Sequence, residues 1–159
     1  WHWLPIRWIP SENWHLTLIP PAYFVDEEIG ALLQFLEKRR WGEGFPVKFS
    51  HISFAPPGKA ARMVWLEGDA PPEFVQLKKK LEDAWLARRD LPLIKREERP
   101  PKLHATLARF QPGDLRDLGD KMRTLAEVAF ECEANAISVM ESKLLPGGAE
   151  YSTLATIPL

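Results

Sequence analysis

The sequence predicts an α+β domain made of two similar lobes. Two observations carry this prediction. Strand-like and helix-like segments follow the same order in both halves, and each half contains a strand with a histidine two residues before a threonine. The length of 159 residues and the hydrophobic content of 45% are typical of one globular domain. We therefore expect a single domain over 1–159, with dependent lobes at roughly 1–70 and 71–159.

The first half predicts a strand, a helix and two paired strands. Pro20-Pro21 ends the first strand, because proline cannot continue a ladder. Asp26 is placed to cap the helix, whose apolar residues recur every three or four positions until Gly42. Pro56-Pro57-Gly58 separates the last two strands as a turn. The predicted ranges are 14–19, 26–41, 46–54 and 61–67.

The second half is predicted from the same signals. Pro71-Pro72 opens a helix with an apolar seam, and its lysines, Lys78 included, are expected to face water. Residues 103–109 form a strand, and Asp114 caps a short helix. Three further strands follow, with a turn at Pro146-Gly147-Gly148 before the last. Their predicted ranges are 127–133, 135–142 and 150–157.

Composition excludes several classes of protein. A net charge of −1 disfavours a protein that binds long nucleic acid duplexes, but leaves a small anionic ligand or a nucleic acid end open. The single cysteine, Cys132, excludes a disulfide framework. No apolar run approaches the ~18 residues of a membrane span. We expect a cytoplasmic monomer that does not bind membranes. Because the chain begins at Trp1, the sequence leaves two alternatives open, that a native N-terminal segment is missing or that the first lobe lacks an element.

The chemistry is predicted by one pattern that occurs twice. His15-Leu16-Thr17-Leu18 and His104-Ala105-Thr106-Leu107 both read histidine, apolar, threonine, apolar. Side chains two residues apart on a strand share a face, so each histidine lies beside its threonine and the apolar residues face a core. If the lobes are related by a pseudo-two-fold axis, both pairs converge on one cleft.

Two imidazoles at one cleft can cleave a phosphodiester by acid–base catalysis. The neutral histidine takes a proton from water, and the protonated one gives a proton to the leaving oxygen. Thr17 and Thr106 can donate hydrogen bonds to phosphate oxygens. Arg109 can neutralise phosphate charge, although its spacing from His104 places it on the opposite face unless a bulge intervenes.

Other histidines fit the pattern less well. His51-Ile52-Ser53-Phe54 is similar, but it follows the first helix, so we interpret His51 as structural or peripheral, and His2 likewise. No acidic residue lies within two positions of His15 or His104, and no histidine pair has helical ligand spacing. We therefore expect neither a metal nor a cofactor.

The doubled motif resembles the 2H phosphoesterases, and within them the RNA 2′,3′-cyclic phosphodiesterases, also called 2′–5′ RNA ligases. Four stretches carry the resemblance across nearly the whole chain. They are RWIPSENWHLTL at 7–18, ARMVWL at 61–66, LHATLAR at 103–109 and ESKLLPGGAEY at 141–151. Members of that family usually have a strand and a helix before the first motif, whereas only fourteen residues precede His15 here.

The resemblance implies two antiparallel sheets that face a central cleft, with helices outside. It implies hydrolysis of 2′,3′-cyclic phosphate RNA ends to 2′-phosphates without a metal, with RNA ends or small cyclic nucleotides as ligands. His15 and His104 carry over as the acid–base pair, Thr17, Thr106 and Arg109 as phosphate ligands, and Tyr151 as part of the cleft wall. The sequence does not determine which histidine is the acid; for hydrolysis we favour His104 as the base.

Two alternative functions stay open from the sequence. The same residues could act on another phosphodiester, such as a 2′–5′ linked oligonucleotide or an ADP-ribose cyclic phosphate, or in 2′–5′ RNA ligation. The chain could also be a non-catalytic module that binds nucleotides or RNA. Two intact His-x-Thr motifs favour catalysis, because binding alone does not require two titratable groups.

Overall fold

In a computed structural model, the structure describes residues 6–96, 100–111, 124–145 and 148–159. Over these ranges it consists of two α-helices, a five-stranded sheet and a two-stranded sheet, which confirms the α+β class. The helices are α1 (Asp26–Glu37) and α2 (Pro72–Leu86). The strands are β1 (Arg7–Trp8), β2 (Phe45–Ala55), β3 (Met63–Gly68), β4 (Leu103–Arg109), β5 (Thr124–Ala134), β6 (Ala136–Leu145) and β7 (Gly148–Pro158).

The larger sheet places the second histidine motif beside the predicted hairpin. Its strand order is β1-β4-β3-β2-β5, and the predicted pairing of β2 with β3 is confirmed. β4 lies between β1 and β3 and is antiparallel to both. A strand from late in the chain is therefore paired on both sides with strands from the first half. β6 and β7 form the second sheet, also antiparallel.

The chain divides into two compact units, each made of three segments. The first unit contains Trp1–Thr17, Val47–Ala70 and Lys102–Cys132. The second contains Leu18–Pro46, Pro71–Pro101 and Glu133–Leu159. Each unit thus draws on both halves of the chain, unlike the predicted division near residue 70. The physical reason is the pairing of β4 with β3, which brings the second motif into the unit that holds the first.

Helix α1 starts where the sequence predicted but ends earlier. Asp26 is its first residue rather than its cap, and the carboxylate of Glu28 accepts a hydrogen bond from the backbone N–H of Val25 at 2.9 Å. Acidic residues fill the first turn, which the helix dipole favours. The buried face consists of Leu32, Phe35 and Leu36. The helix stops at Glu37, so the last four residues of the predicted range 26–41 lie beyond it.

The predicted apolar seam of helix α2 is confirmed, but the predicted exposure of Lys78 is wrong. Pro72 opens the helix, where a missing N–H costs nothing, and the predicted seam residues are buried. Lys78 does not face water as predicted, but is buried with Glu82, 3.2 Å away. Its ammonium also donates to the backbone carbonyl of Leu18. The seam residues are Phe74, Leu77, Leu81 and Trp85.

The predicted strand at 14–19 is wrong. β1 hydrogen-bonds to β4 through Ile9, whose N–H donates to Leu107 at 2.8 Å, and a short 3-10 turn at Ser11–Asn13 then redirects the chain. Residues 14–17 belong to no ladder in the described part of the chain. The 3-10 turn precedes this segment and the prolines at 20 and 21, which cannot donate to a ladder, follow it, while β4 is already paired on both sides with β1 and β3.

Several predictions fall outside the described residues. These are most of the helix expected after Asp114, the turn residues Pro146 and Gly147, and His2. The three later strands are confirmed and are longer than predicted. Among the described residues, no helix is long and apolar enough to cross a membrane.

Replacing Lys78 with Met should destabilise the fold by about 3–5 kcal/mol, because the buried Glu82 carboxylate would lose its cation. Urea unfolding of the wild type and of Lys78→Met measures the difference. The double variant Lys78→Met/Glu82→Leu should recover most of the loss, because it removes both charges. A single variant as stable as the wild type would contradict this role for the pair.

Replacing Gly68 with Ala should cost roughly 1–3 kcal/mol or more, because a Cβ there would overlap the backbone carbonyl oxygen of Lys48. Gly30 is the matched control, since a Cβ on this helical glycine meets nothing within 4 Å. Gly30→Ala should therefore raise stability by about 0.5–1 kcal/mol. Opposite changes in the urea midpoint are expected, and equal changes would contradict the close approach at Gly68.

Candidate active site

The second motif lies on β4 with the predicted alternation. His104 and Thr106 are half-buried on one face of the sheet, whereas Leu103, Ala105 and Leu107 are buried on the other. The apolar residues therefore anchor the strand in the core, and the histidine and threonine point together toward the opposite side. This confirms that the two residues share a face.

A bulge in β4 brings Arg109 to that same face. Val64 pairs with Ala108 and Trp65 pairs with Thr106, so Leu107 is an extra residue on β4. An extra residue shifts the alternation of all side chains beyond it. Burial follows this shift, because Leu107 and Ala108 are both buried and Arg109 is exposed. The bulge therefore places Arg109 on the same face as His104, although a regular strand would place it on the opposite face.

The first motif is held by side-chain contacts rather than by a ladder. Its histidine, His15, is half-buried and Thr17 is exposed. The indole N–H of Trp14 donates to the carbonyl of Ile9 at 2.9 Å and ties the segment to the end of β1. Beyond the motif, the hydrogen bond from Lys78 to Leu18 fixes the next stretch of backbone. These contacts replace the strand pairing that holds β4.

Both histidine rings make the same local contact with the backbone. The Nδ1 atom of His15 lies 2.7 Å from the carbonyl oxygen of Asn13, and that of His104 lies 3.4 Å from the carbonyl oxygen of Lys102. Each ring thus faces the carbonyl two residues before it. A carbonyl only accepts, so we assign the proton of each neutral ring to Nδ1. This tautomer leaves the Nε2 atom of each neutral ring as the acceptor.

The electrostatics of His104 couple the two motifs. Burial is the largest influence and lowers the pKa of His104 below its usual 6.5. The charges of His15 and Lys102 also lower this pKa, while the Lys102 carbonyl and the Glu67 carboxylate oppose the change. The influence of His15 means that the two imidazoles lie close enough to interact. At pH 7 the neutral form of His104 predominates, which is the form a general base needs.

Trp65 fixes the ring of His104. The two rings are stacked, with centroids 4.0 Å apart and planes inclined by 27°. Trp65 is the residue of β3 that pairs with Thr106, so register places it against the motif. Its buried indole N–H has no hydrogen-bond partner among the described residues. The contact is therefore one of ring faces only.

Sequence reasoning missed Trp65, Glu67 and the place of His51. Register places Glu67 opposite His104 on one side and opposite His51 on the other, so all three share a face. The sequence pattern alone predicts a structural or peripheral role for His51. The available signal was the hairpin itself, because pairing 46–54 with 61–67 and adding 103–109 fixes which residues align. The order of the strands was the missing information.

Tyr151 is the predicted site residue that belongs to the second unit. Tyr151 is half-buried on β7, in the second unit, and pairs with Ser142. The structure therefore leaves its cleft-wall role a prediction. No cluster of three or more His, Cys, Asp or Glu able to hold a metal occurs within the residues that the structure describes.

The fold is shared with solved structures. No known family profile matches the sequence, and no curated protein matches it. TT0787 of Thermus thermophilus matches with a TM-score of 0.77 and 20% identity, over 99% of this chain and 84% of that one. E. coli LigT complexed with 3′-AMP matches with a TM-score of 0.70 and 23% identity, over 98% and 82%. A structure described as a phosphoesterase gives the same values. The chain thus has the fold of these solved structures, which is the fold that the resemblance implied.

Replacing Trp65 with Ala should lower the chemical activity of the site, because His104 would lose the ring that fixes it. Trp65→Phe is the matched control, since it keeps a stacking face and removes only an N–H that has no partner among the described residues. We expect Trp65→Phe to unfold at the same urea concentration as the wild type or higher. An alanine variant with a normal His104 titration and normal turnover would contradict this role.

Proposed function

We propose that this chain, which has the fold of the phosphoesterase LigT, hydrolyses 2′,3′-cyclic phosphates at RNA ends to 2′-phosphates by acid–base catalysis without a metal. The observation that carries the proposal is the pair of electrostatically coupled imidazoles, each oriented by the carbonyl two residues before it. Such a pair can supply both proton transfers of a phosphodiester hydrolysis.

His104 is the general base in the proposed reaction. Its lowered pKa keeps Nε2 unprotonated at pH 7, ready to take a proton from water. The water oxygen then forms a bond to phosphorus, and the bond from phosphorus to the 3′ oxygen breaks. Protonated His15 gives its Nε2 proton to that leaving oxygen. The product carries a 2′-phosphate and a free 3′-hydroxyl, so atoms and protons balance.

The threonines and Arg109 bind the phosphate. Thr106 shares the face of His104, and the hydroxyls of Thr17 and Thr106 can donate to the non-bridging oxygens. The bulge at Leu107 aims Arg109 to the same side, where its charge offsets that of the phosphate. Tyr151 is assigned to the cleft wall on the resemblance alone. E. coli LigT has been solved with 3′-AMP, NADP+, ATP and phosphate, which supports a nucleotide as ligand here.

His15→Ala and His104→Ala should each reduce hydrolysis of a 2′,3′-cyclic-phosphate RNA end by about 10²–10⁴-fold, because each removes a positioned acid or base. The assay contains EDTA and distinguishes the 2′-phosphate from the 3′-phosphate product. His2→Ala, outside both motifs, is the matched control and should keep wild-type turnover. Circular dichroism verifies that the variants fold.

A substrate panel tests the specific reaction. Turnover of only a 2′–5′ linked oligonucleotide, or of only an ADP-ribose cyclic phosphate, would replace the proposed substrate while keeping the histidine pair. Tight nucleotide binding with no turnover of any phosphodiester would favour a binding module. Full activity in either histidine variant would refute the proposed chemistry.

A further inference from the structure

A carboxylate lies where a phosphate-binding site would be expected to carry only neutral or positive groups. Glu67 is on β3, directly opposite His104 on β4 in the antiparallel ladder. Residues paired in this way have Cβ atoms roughly 4.5–5.5 Å apart and share a face. Its side chain is only 17% exposed. A buried negative charge that would repel the substrate needs a compensating role.

The carboxylate of Glu67 is restrained by β2, the strand on its other side. The hydroxyl of Ser53 donates a hydrogen bond to Oε2 of Glu67. The Nε2 atom of His51 lies 3.4 Å from the same oxygen, and His51 pairs with Glu67 in the ladder. Ser53 pairs in turn with Trp65, the residue stacked on His104. Two residues of β2 thus hold one carboxylate of β3 in place.

A purely structural ion pair does not account for this arrangement. The His51–Glu67 pair would exist equally on any hairpin, and a partly exposed pair of this kind contributes little to stability. This ion pair differs from an ordinary one because Glu67 also pairs with His104 on the neighbouring strand β4. The negative charge of Glu67 acts on His104 and raises its pKa, against burial and against the charges of His15 and Lys102.

We propose that Glu67 is a positioning residue for His104: held by Ser53 and His51, its carboxylate stabilises the imidazolium that forms when His104 takes the proton of water. His51 modulates this effect, because its Nε2 atom lies 3.4 Å from the same carboxylate oxygen. The inference rests on the proposed function for its catalytic meaning. The row His51–Glu67–His104 itself rests only on register and contacts.

The charged groups around His104 determine the direction in which each substitution shifts its pKa. Lys102 and Arg109 lie on or beside its own strand, Glu67 on β3, and His15 on the first-motif segment. Among these, Glu67 is the negative one that opposes the lowering of the His104 pKa. Removing it must therefore lower this pKa further. Removing His51 takes from this carboxylate the imidazole that lies 3.4 Å from it, so we expect the pKa of His104 to rise.

Imidazole NMR titration of His104 tests the inference without requiring turnover. Glu67→Gln should lower the pKa of His104, and His51→Gln should raise it. Glu141→Gln is the matched control, because Glu141 also accepts a hydrogen bond from a serine on the neighbouring strand and lies 3.1 Å from a lysine, but belongs to the other sheet. It should leave the titration unchanged. A Glu67→Gln titration equal to that of the wild type would overturn the proposal.

Kinetics link this effect to the proposed reaction. With His104 as base, the acidic limb of kcat/KM against pH moves to lower pH in Glu67→Gln, so that activity on that limb rises about threefold or more relative to the optimum. A loss caused by misfolding would lower activity at all pH values alike. If Glu67→Gln does not fold, the opposite shift in His51→Gln decides the matter, and its absence would refute the coupling. A wild type inactive on every cyclic phosphate would refute the proposed function while leaving the titration result to decide the role of Glu67.

Discussion

The pairing of β4 with β3 is the constraint on which the site depends. It carries a strand from the second half of the chain into the sheet formed by the first, and thereby places His104, Thr106 and Arg109 beside Trp65 and Glu67. The extra residue at Leu107 matters as much as the pairing, because without it Arg109 would face the core. One register and one bulge thus fix the position of His104 relative to Trp65, Glu67 and Arg109.

The two motifs obtain the same local geometry by different means. On β4 the ladder supplies rigidity, because hydrogen bonds to two neighbouring strands offset the loss of backbone conformational entropy. Around His15 individual side chains replace the ladder, through the indole of Trp14 and the buried ammonium of Lys78. A histidine whose Nδ1 faces the carbonyl two residues earlier results in both cases. The shared requirement is orientation of the ring, and the strand is only one way to meet it.

Sequence patterns predicted what local physics determines. The apolar period of α2, the alternation of β4 and the hairpin of β2 and β3 all follow from nearby residues, and the structure confirms them. Three features depended on distant partners. The segment at His15 has strand propensity but pairs with no strand. Lys78 is buried because the carboxylate of Glu82 and the carbonyl of Leu18 bind its ammonium group. His51 lies next to Glu67 only because of the order of the strands. Propensity contains no information about which strand lies next to which.

The row of His51, Glu67 and His104 also bears on product release in the proposed reaction. A 2′,3′-cyclic phosphate carries one negative charge, whereas the 2′-phosphate product carries about 1.5–2 at pH 7. A fixed carboxylate beside the base repels the product more strongly than the substrate, while it stabilises the imidazolium that exists only during turnover. The same charge therefore favours proton transfer and disfavours retention of the product. A carboxylate would weaken a site whose only role is to bind phosphate. It is consistent with a site that opens a cyclic phosphate and then releases the 2′-phosphate product.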